Sequence, residues 1–357
     1  METLRPFAPV VAVPARNEAE RIPALVEALG RQSWLRHGRR LPVVVVLNNC
    51  TDRSAEALAT AAARHDALDI TALDVGFSPV DAHVGSARRL ALETAWGQSG
   101  GSPSTVLLTT DADARPAVDW VEANLRAITD GADLVGGHIV GDVDEEERLG
   151  PAFLKLSSKH LRYAAMADRL AALVDPLPHD PLPRHCDHTG ASLAVRGLVY
   201  AAVGGLPALP FREDLAFVSR VRAAGYRLRH APDVRVQVSA RLVGRAPGGM
   251  ADCLRQWIAE AEGHRPHLVE APASTLRRLE RRRMIRALAH ADAATRRGTL
   301  HAFGLPDALA VDHAALSALV ERLVPDEPDA QATTPVDLAI AEIERLVGER
   351  EGTRLAA

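Results

Sequence analysis

An α/β fold built on a doubly wound, mostly parallel sheet is expected of this chain from three features. Short, continuous apolar runs alternate with stretches of helical periodicity over the first 140 residues. Runs of that kind read as strands buried on both faces, and parallel neighbours need helical crossovers between them. Each run also ends in a polar cluster, and ligands of such sheets bind beyond the carboxyl ends of the strands.

The elements follow in order. Val10 to Val13 is the first strand; it ends at Pro14, and Ile22, Leu25, Val26 and Leu29 then recur at helical spacing. Val43 to Leu47 is the second strand, followed by the turn Asn48-Asn-Cys-Thr-Asp52 and an Ala-rich helix from about Arg53 to His65. Ile70 to Leu73 is a third strand. Ser86 to Trp96 reads as a helix, and Val106 to Thr109 is a fourth strand that runs into Asp111-Ala-Asp113. Val118, Val121, Leu125 and Ile128 form the next helical stripe. From Leu149 to Leu173 the pattern is helical, and the prolines of Asp175 to His188 then enforce a long loop. Beyond about residue 260 the chain reads as a charged, helical addition. The expected organisation is a domain over 1–257, with a donor half 8–140 and an acceptor and catalytic half 141–257, followed by a helical C-terminal extension over 258–357.

Bulk composition narrows the function classes. With 357 residues and 47% hydrophobic content the chain can bury a sizeable core, and a net charge of -4 gives no field to draw nucleic acid. Cys50, Cys186 and Cys253 form neither a CxxC pair nor an even-numbered framework, which fits a reducing, cytoplasmic setting. No apolar stretch reaches spanning length, and no cleavage signal follows the N-terminal run.

The strongest local chemistry is Asp111-Ala-Asp113 at a strand end. Alternate residues of an extended segment set two carboxylates around one hard cation, Mn²⁺ or Mg²⁺, whose remaining ligands are waters and substrate phosphates. The plain alternative is that Asp113 caps a helix opened by Pro116.

Taken in order, Val13-Pro-Ala-Arg-Asn-Glu-Ala-Glu-Arg-Ile22, Asn48-Asn-Cys-Thr-Asp-Arg-Ser54, Val84-Gly-Ser-Ala-Arg-Arg-Leu90 and Asp111-Ala-Asp113 resemble the donor half of the family 2 glycosyltransferases. Gly190-Ala-Ser-Leu-Ala-Val-Arg196 with Val203-Gly-Gly-Leu206, and Phe211-Arg-Glu-Asp-Leu215, resemble that family's acceptor-side segment and its Glu-Asp catalytic motif. The resemblance covers roughly residues 8 to 257 and implies a GT-A fold, a nucleotide diphosphate sugar donor and inverting transfer, in the family's usual case of a hexosyl unit, to an acceptor the sequence does not name.

Carried onto this chain, it implies that Pro14, Arg16 and Glu18 form the loop under the nucleoside, with Glu18 toward the ribose hydroxyls. A carboxylate in a first helical turn is the bland reading of Glu18. Asn48 and Asp52 stand where the family has acids near the base; the amide at Asn48 leaves the nucleobase open, and Asp52 also reads as a helix N-cap. Arg88 is expected to clamp the diphosphate, with Arg89 turned to solvent, and Asp81 and His83 precede that turn within reach of base or phosphate. Asp214 is the expected general base with Glu213 beside it, against the alternative that both cap a helix. Arg241 and Arg245 lie in a Gly-rich segment, ending Pro247-Gly-Gly249, that matches a loop closing over donor phosphate; a plain turn explains it equally.

Several other readings are weaker. His185-Cys-Asp-His188 lacks the second pair of ligands that a closed zinc site requires. Leu254-Arg-Gln-Trp257 departs from the Gln-x-x-Arg-Trp order of processive members. The cluster Arg277 to Arg286 offers a peripheral contact to an anionic membrane or a phosphorylated acceptor, against which stand the acids interspersed with it. A dinucleotide enzyme would need GxGxxG after the first strand, where Pro14-Ala-Arg-Asn-Glu18 has no glycine. The rival of another class is a catalytically silent sugar-nucleotide-binding or scaffolding protein of the same fold.

Overall fold

A computed structural model of the chain describes residues 7–245, 248–263, 265–306, 312–325 and 332–356. The turn expected at Pro247 and the N-terminal residues through Pro6 lie outside them. Contacts divide the chain into two compact units, Met1–Leu149 with Cys186–Val218 and Arg227–Gln256, and Gly150–His185 with Ser219–Tyr226 and Trp257–Ala357. The strands are β1 (Ala8–Ala15), β2 (Leu41–Asn48), β3 (Leu68–Val75), β4 (Thr105–Thr109), β5 (Arg115–Pro116), β6 (Leu134–Gly141), β7 (Leu193–Arg196), β8 (Leu228–Val238), β9 (Leu268–Glu270) and β10 (Thr333–Pro335). The helices are α1 (Ile22–Gly30), α2 (Ser54–Ala62), α3 (Val84–Gln98), α4 (Trp120–Thr129), α5 (Val143–Arg148), α6 (Pro151–Val174), α7 (Gly197–Ala202), α8 (Glu213–Ala223), α9 (Met250–Glu262), α10 (Pro272–Ala287), α11 (Ala293–Ala302), α12 (His313–Leu323) and α13 (Val336–Ala356).

The first unit is the expected mostly parallel sheet, eight strands in the order β3-β2-β1-β4-β7-β6-β8-β5. β1 pairs in parallel with β2 and β4, β2 with β3, and β6 with β8. β7 runs against both β4 and β6, and β5 against β8. β1, β2 and β4 are buried almost throughout, as their unbroken apolar runs require. β3, at the sheet edge, instead carries Asp69, Thr71 and Asp74 among its apolar residues. The core gathers Val11, Val13, Val43, Val45, Val106 and Leu108 against Ile22, Leu25, Leu29 and Trp120.

One local expectation fails. No helix starts at Pro116: that residue closes β5, a two-residue edge strand, and α4 begins at Trp120. An edge strand tolerates the missing proline N–H. Asp113 therefore caps no helix.

The second unit differs from the expected division. Near residue 257 the chain passes from the first unit to the second, and 150–185 and 219–226 group with the helical extension, where the sequence division had placed them with residues 141–257. The cause is the stripe Tyr163, Leu170 and Val174 of α6, which packs with Val336, Ala339, Ile343, Leu346 and Val347 of α13 into one core. A second core joins Ile285, Leu288, Leu300, Leu316, Leu319 and Val320. Half of the arginine cluster is turned to internal partners: Arg282, 1% exposed, donates to Glu321 and to the Val324 carbonyl, Arg278 pairs with Glu270, and Arg286 with Asp175, while Arg277, Arg281 and Arg283 are exposed. Arg281 lies over the Phe303 ring. The free basic face that a membrane contact would use is thereby reduced. No helix among the described residues is long and apolar enough to cross a membrane.

A titrating core contact in this unit predicts a pH dependence. His160 lies 3.0 Å from His267, which itself lies 2.8 Å from Glu260, and the His160 ring sits 4.5 Å from that of Trp257. Burial, with His267 adding to it, pushes the His160 pKa down to about 4. The unfolded chain then binds a proton near pH 6.5 that the folded chain refuses, so stability is full above pH 6.5 and is lost as pH falls toward 4. Chemical denaturation should find His160→Gln losing less stability than the native chain between pH 7.5 and 5, by on the order of 2 kcal/mol at pH 5.

Candidate active site

The carboxyl ends of β1, β2 and β4 open onto a cavity of about 510 Å³ in the first unit. Pro14, Arg16, Glu18, Asn48, Arg88, Asp111, Asp113, Glu213, Asp214, Arg241 and Arg245 all line it. Asp52 and Asp81 do not.

The loop after β1 is fixed by side chains. Asn17, at φ 54°, accepts from the Thr51 N–H at 2.8 Å, and the Glu18 N–H donates to Ser54 Oγ at 2.8 Å. Asn takes this left-handed backbone at small cost. Asp52 accepts from Ser54 N–H, Ser54 Oγ and Ala19 N–H, so it joins the loops after β1 and β2 at the surface. Asp52, expected to contact the donor, thus stitches two loops together outside the cavity lining. Asp81 accepts from Ser78 Oγ on an exposed turn, likewise away from the cavity. His83 caps α3, its Nδ1 accepting from Ser86 N–H.

Asn48, 2% exposed, closes β2. Its Nδ2 donates to the His83 carbonyl at 3.2 Å, while its buried Oδ1 has no hydrogen-bond partner. A buried acceptor without a donor costs free energy, and Asn48 lines the cavity, so this oxygen is the group of Asn48 left for a ligand N–H.

Two arginines hold the aspartates after β4. Arg88, 3% exposed, donates from Nε to Glu213 at 3.0 Å, from one terminal nitrogen to Thr109 Oγ1 and the Gly190 carbonyl, and from the other to Asp111 at 2.7 Å. Arg241 grips Glu18 through both carboxylate oxygens, at 2.6 and 2.5 Å, and lies 3.1 Å from Asp113. Burial, then the neighbouring Asp111 charge, pushes the Asp113 pKa up to about 6 against the pull of Arg241. Burial also raises that of Glu213 despite Arg88. Arg245 donates to the Asn17 carbonyl at 3.0 Å.

Asp214 sits in the first turn of α8. Its oxygens accept from Gly190 N–H at 2.6 Å and from its own neighbour Leu215 N–H at 2.8 Å. The preceding Arg212 has φ 57°, a strained backbone for a long side chain, and it sets the turn that delivers Glu213 inward and Asp214 to the cavity.

The residues suit a hard divalent cation. Asp111 and Asp113 both face the cavity, and each gives one oxygen to an arginine, with no side-chain hydrogen bond to the other oxygen among the described residues. Two carboxylates with the rest of the shell left to phosphate and water is how such a cation is held beside a diphosphate.

Sequence reasoning missed Thr189, Ser239, Phe211 and Met250, which also line the cavity. Phe211 approaches Gly248 so closely that a Cβ there would stand 2.8 Å from its ring. A glycine pair near the arginines was visible in the sequence; its ring partner was not.

Residues 10–172 match the family model described as Glycosyl transferase family 2. Among solved structures, TarS residues 1–349 from S. aureus, in complex with UDP-GlcNAc, is 14% identical over 98% of this chain and 92% of that chain, with a TM-score of 0.47. Mannosyltransferase PcManGT from Pyrobaculum calidifontis, in complex with GDP-Man and Mn²⁺, is 19% identical over 89% of this chain and 88% of that chain, with a TM-score of 0.44. A longer TarS chain is 15% identical with a TM-score of 0.44; 72% of this chain matches, spanning 43% of that one. No curated protein matches the sequence.

Proposed function

We propose, for a chain whose residues 10–172 match the model of glycosyl transferase family 2, that its cavity transfers a hexosyl unit from a nucleotide diphosphate donor to an acceptor hydroxyl by single displacement with inversion. The observation that carries this reading is the meeting of Asp111, Asp113 and Asp214 around one cavity, although Asp214 lies about a hundred residues further along the chain. Nucleoside binds over Pro14 and Arg16, with Glu18 accepting from ribose hydroxyls once Arg241 turns from it to the diphosphate beside Arg245. Asp111 and Asp113 hold Mn²⁺ or Mg²⁺, which when bound neutralises charge on the departing diphosphate. Asp214 removes the acceptor proton as the hydroxyl attacks the anomeric carbon. The cysteine pattern, with neither a CxxC pair nor an even-numbered framework, supports a cytoplasmic, reducing setting.

Asn48 makes the reading specific. With one amide N–H engaged by the His83 carbonyl and Oδ1 without a partner, it has an acceptor for a base N–H, which this reading takes to be the ring imino N–H of uracil or guanine in preference to the exocyclic amine of adenine or cytosine. Thermal midpoints measured with UDP, GDP, ADP and CDP, each with and without Mn²⁺, test this. UDP or GDP should stabilise in a Mn²⁺-dependent way. Preference for ADP or CDP would remove the role of Asn48, and no shift with any of the four would remove the donor site itself.

A further inference from the structure

The sequence assigns Arg88 to the diphosphate, but its surroundings assign it elsewhere. Its guanidinium is buried and already makes four hydrogen bonds to acceptors from three segments: Thr109 and Asp111 at the end of β4, Gly190 before β7 and Glu213 opening α8. Four of its five N–H groups are thus taken, and a phosphate that took the Nε–H would leave Glu213, itself 4% exposed, as a buried charge without its partner. A buried cation shared by two carboxylates is a cross-link, held in place by the charges at both ends.

Gly190 ties this cross-link to the expected base. Its carbonyl accepts from Arg88 at 2.8 Å, and its N–H donates to Asp214 at 2.6 Å. A Cβ at this position would stand 2.5 Å from the guanidinium carbon, so only glycine lets Arg88 lie flat against the backbone that holds Asp214. Arg88 thus touches the cation-side aspartate at one end, and at the other it touches both the neighbour of the base and the residue that hydrogen-bonds the base.

We propose that Arg88 is a positioning residue that fixes the distance and orientation of Asp214 relative to Asp111, and makes no contact with the donor phosphates. The proposal rests on the reading of this cavity as a sugar-transfer site. Lysine cannot replace Arg88, because a point charge on a flexible stem does not fork between acceptors on three segments.

The test compares native chain, Arg88→Lys and Gly190→Ala, the last of which displaces the guanidinium while leaving it present. Affinities for UDP and GDP with Mn²⁺ come from calorimetry. Turnover comes from release of UDP or GDP from UDP-glucose, UDP-N-acetylglucosamine and GDP-mannose, with water as acceptor. Both variants should keep nucleotide affinity within about threefold and lose kcat by about 100-fold, the scale expected for a reacting group displaced by about 1 Å. Loss of nucleotide affinity by Arg88→Lys with kcat retained at saturation would make Arg88 a phosphate ligand and overturn the proposal. Native kcat in both variants would overturn it as well. If Arg88→Lys fails to fold, as its melting curve will report, Gly190→Ala carries the test. A native chain that binds neither nucleotide defeats the sugar-transfer reading and the proposal with it, an outcome distinct from the variant results.

Discussion

Asp214→Asn is expected to reduce donor turnover by about 1,000-fold while nucleotide affinity stays close to native. General acid–base groups contribute 10²–10⁴-fold, and Asp214 is the carboxylate whose oxygens are held by Gly190 and Leu215 N–H groups at the cavity wall. Those two donors complicate the substitution, since asparagine accepts with one oxygen and would turn an N–H₂ toward the other backbone N–H. Asp214→Ala, which leaves the donors to water, is measured beside it. Steady-state release of nucleoside diphosphate and calorimetry with UDP and GDP separate the two quantities. Turnover near native in both variants would remove Asp214 as the base. It would also give weight to the rival reading, a silent sugar-nucleotide-binding protein in which this carboxylate has no catalytic task.

Asp113→Asn carries the second large effect, and its two consequences have opposite signs. Mn²⁺ affinity should fall on the order of 100-fold, at least what loss of a partner outside the ligand shell costs, because one of two carboxylates facing the cation is neutralised. The same change should raise the thermal midpoint of the metal-free protein. Burial and the adjacent Asp111 charge make an ionised carboxylate costly at this position, and Arg241 offsets only part of that. Removing the charge relieves the empty protein and disables the site, as expected where a function keeps a destabilising group in place. Calorimetric Mn²⁺ titration and thermal melting without metal check the two halves. A variant that binds Mn²⁺ as tightly as the native chain would move the cation elsewhere.

Much of the donor-side architecture can be read from the chain because it is local. Unbroken apolar runs announce β1, β2 and β4, and the polar clusters behind them announce a site at the strand ends. What cannot be read locally is how side chains brought in from afar are used. Arg88 and Glu213 are 125 positions apart, and only the sheet order, with β7 inserted against β4, brings the segments after β4 and before α8 together. A guanidinium following a glycine at a helix start looks like a phosphate clamp until its acceptors are known. Asp52 and Asp81 illustrate the converse: acids at strand ends and turns meet nearby hydroxyls and N–H groups, and here both are so bonded and outside the cavity lining. The long helix α6 was legible as a helix but not as part of the helical unit, since an amphipathic stripe names its period and not its partner.

The stereochemistry of turnover tests single displacement at Asp214 most directly. The purified chain would be incubated with Mn²⁺ and each of UDP-glucose, UDP-N-acetylglucosamine and GDP-mannose, and the anomer of the sugar first released followed by NMR before it mutarotates. Single displacement at Asp214 predicts Mn²⁺-dependent release from one of these donors, with the released sugar in the anomeric configuration opposite to that of the donor. Release with the donor's configuration retained would contradict it.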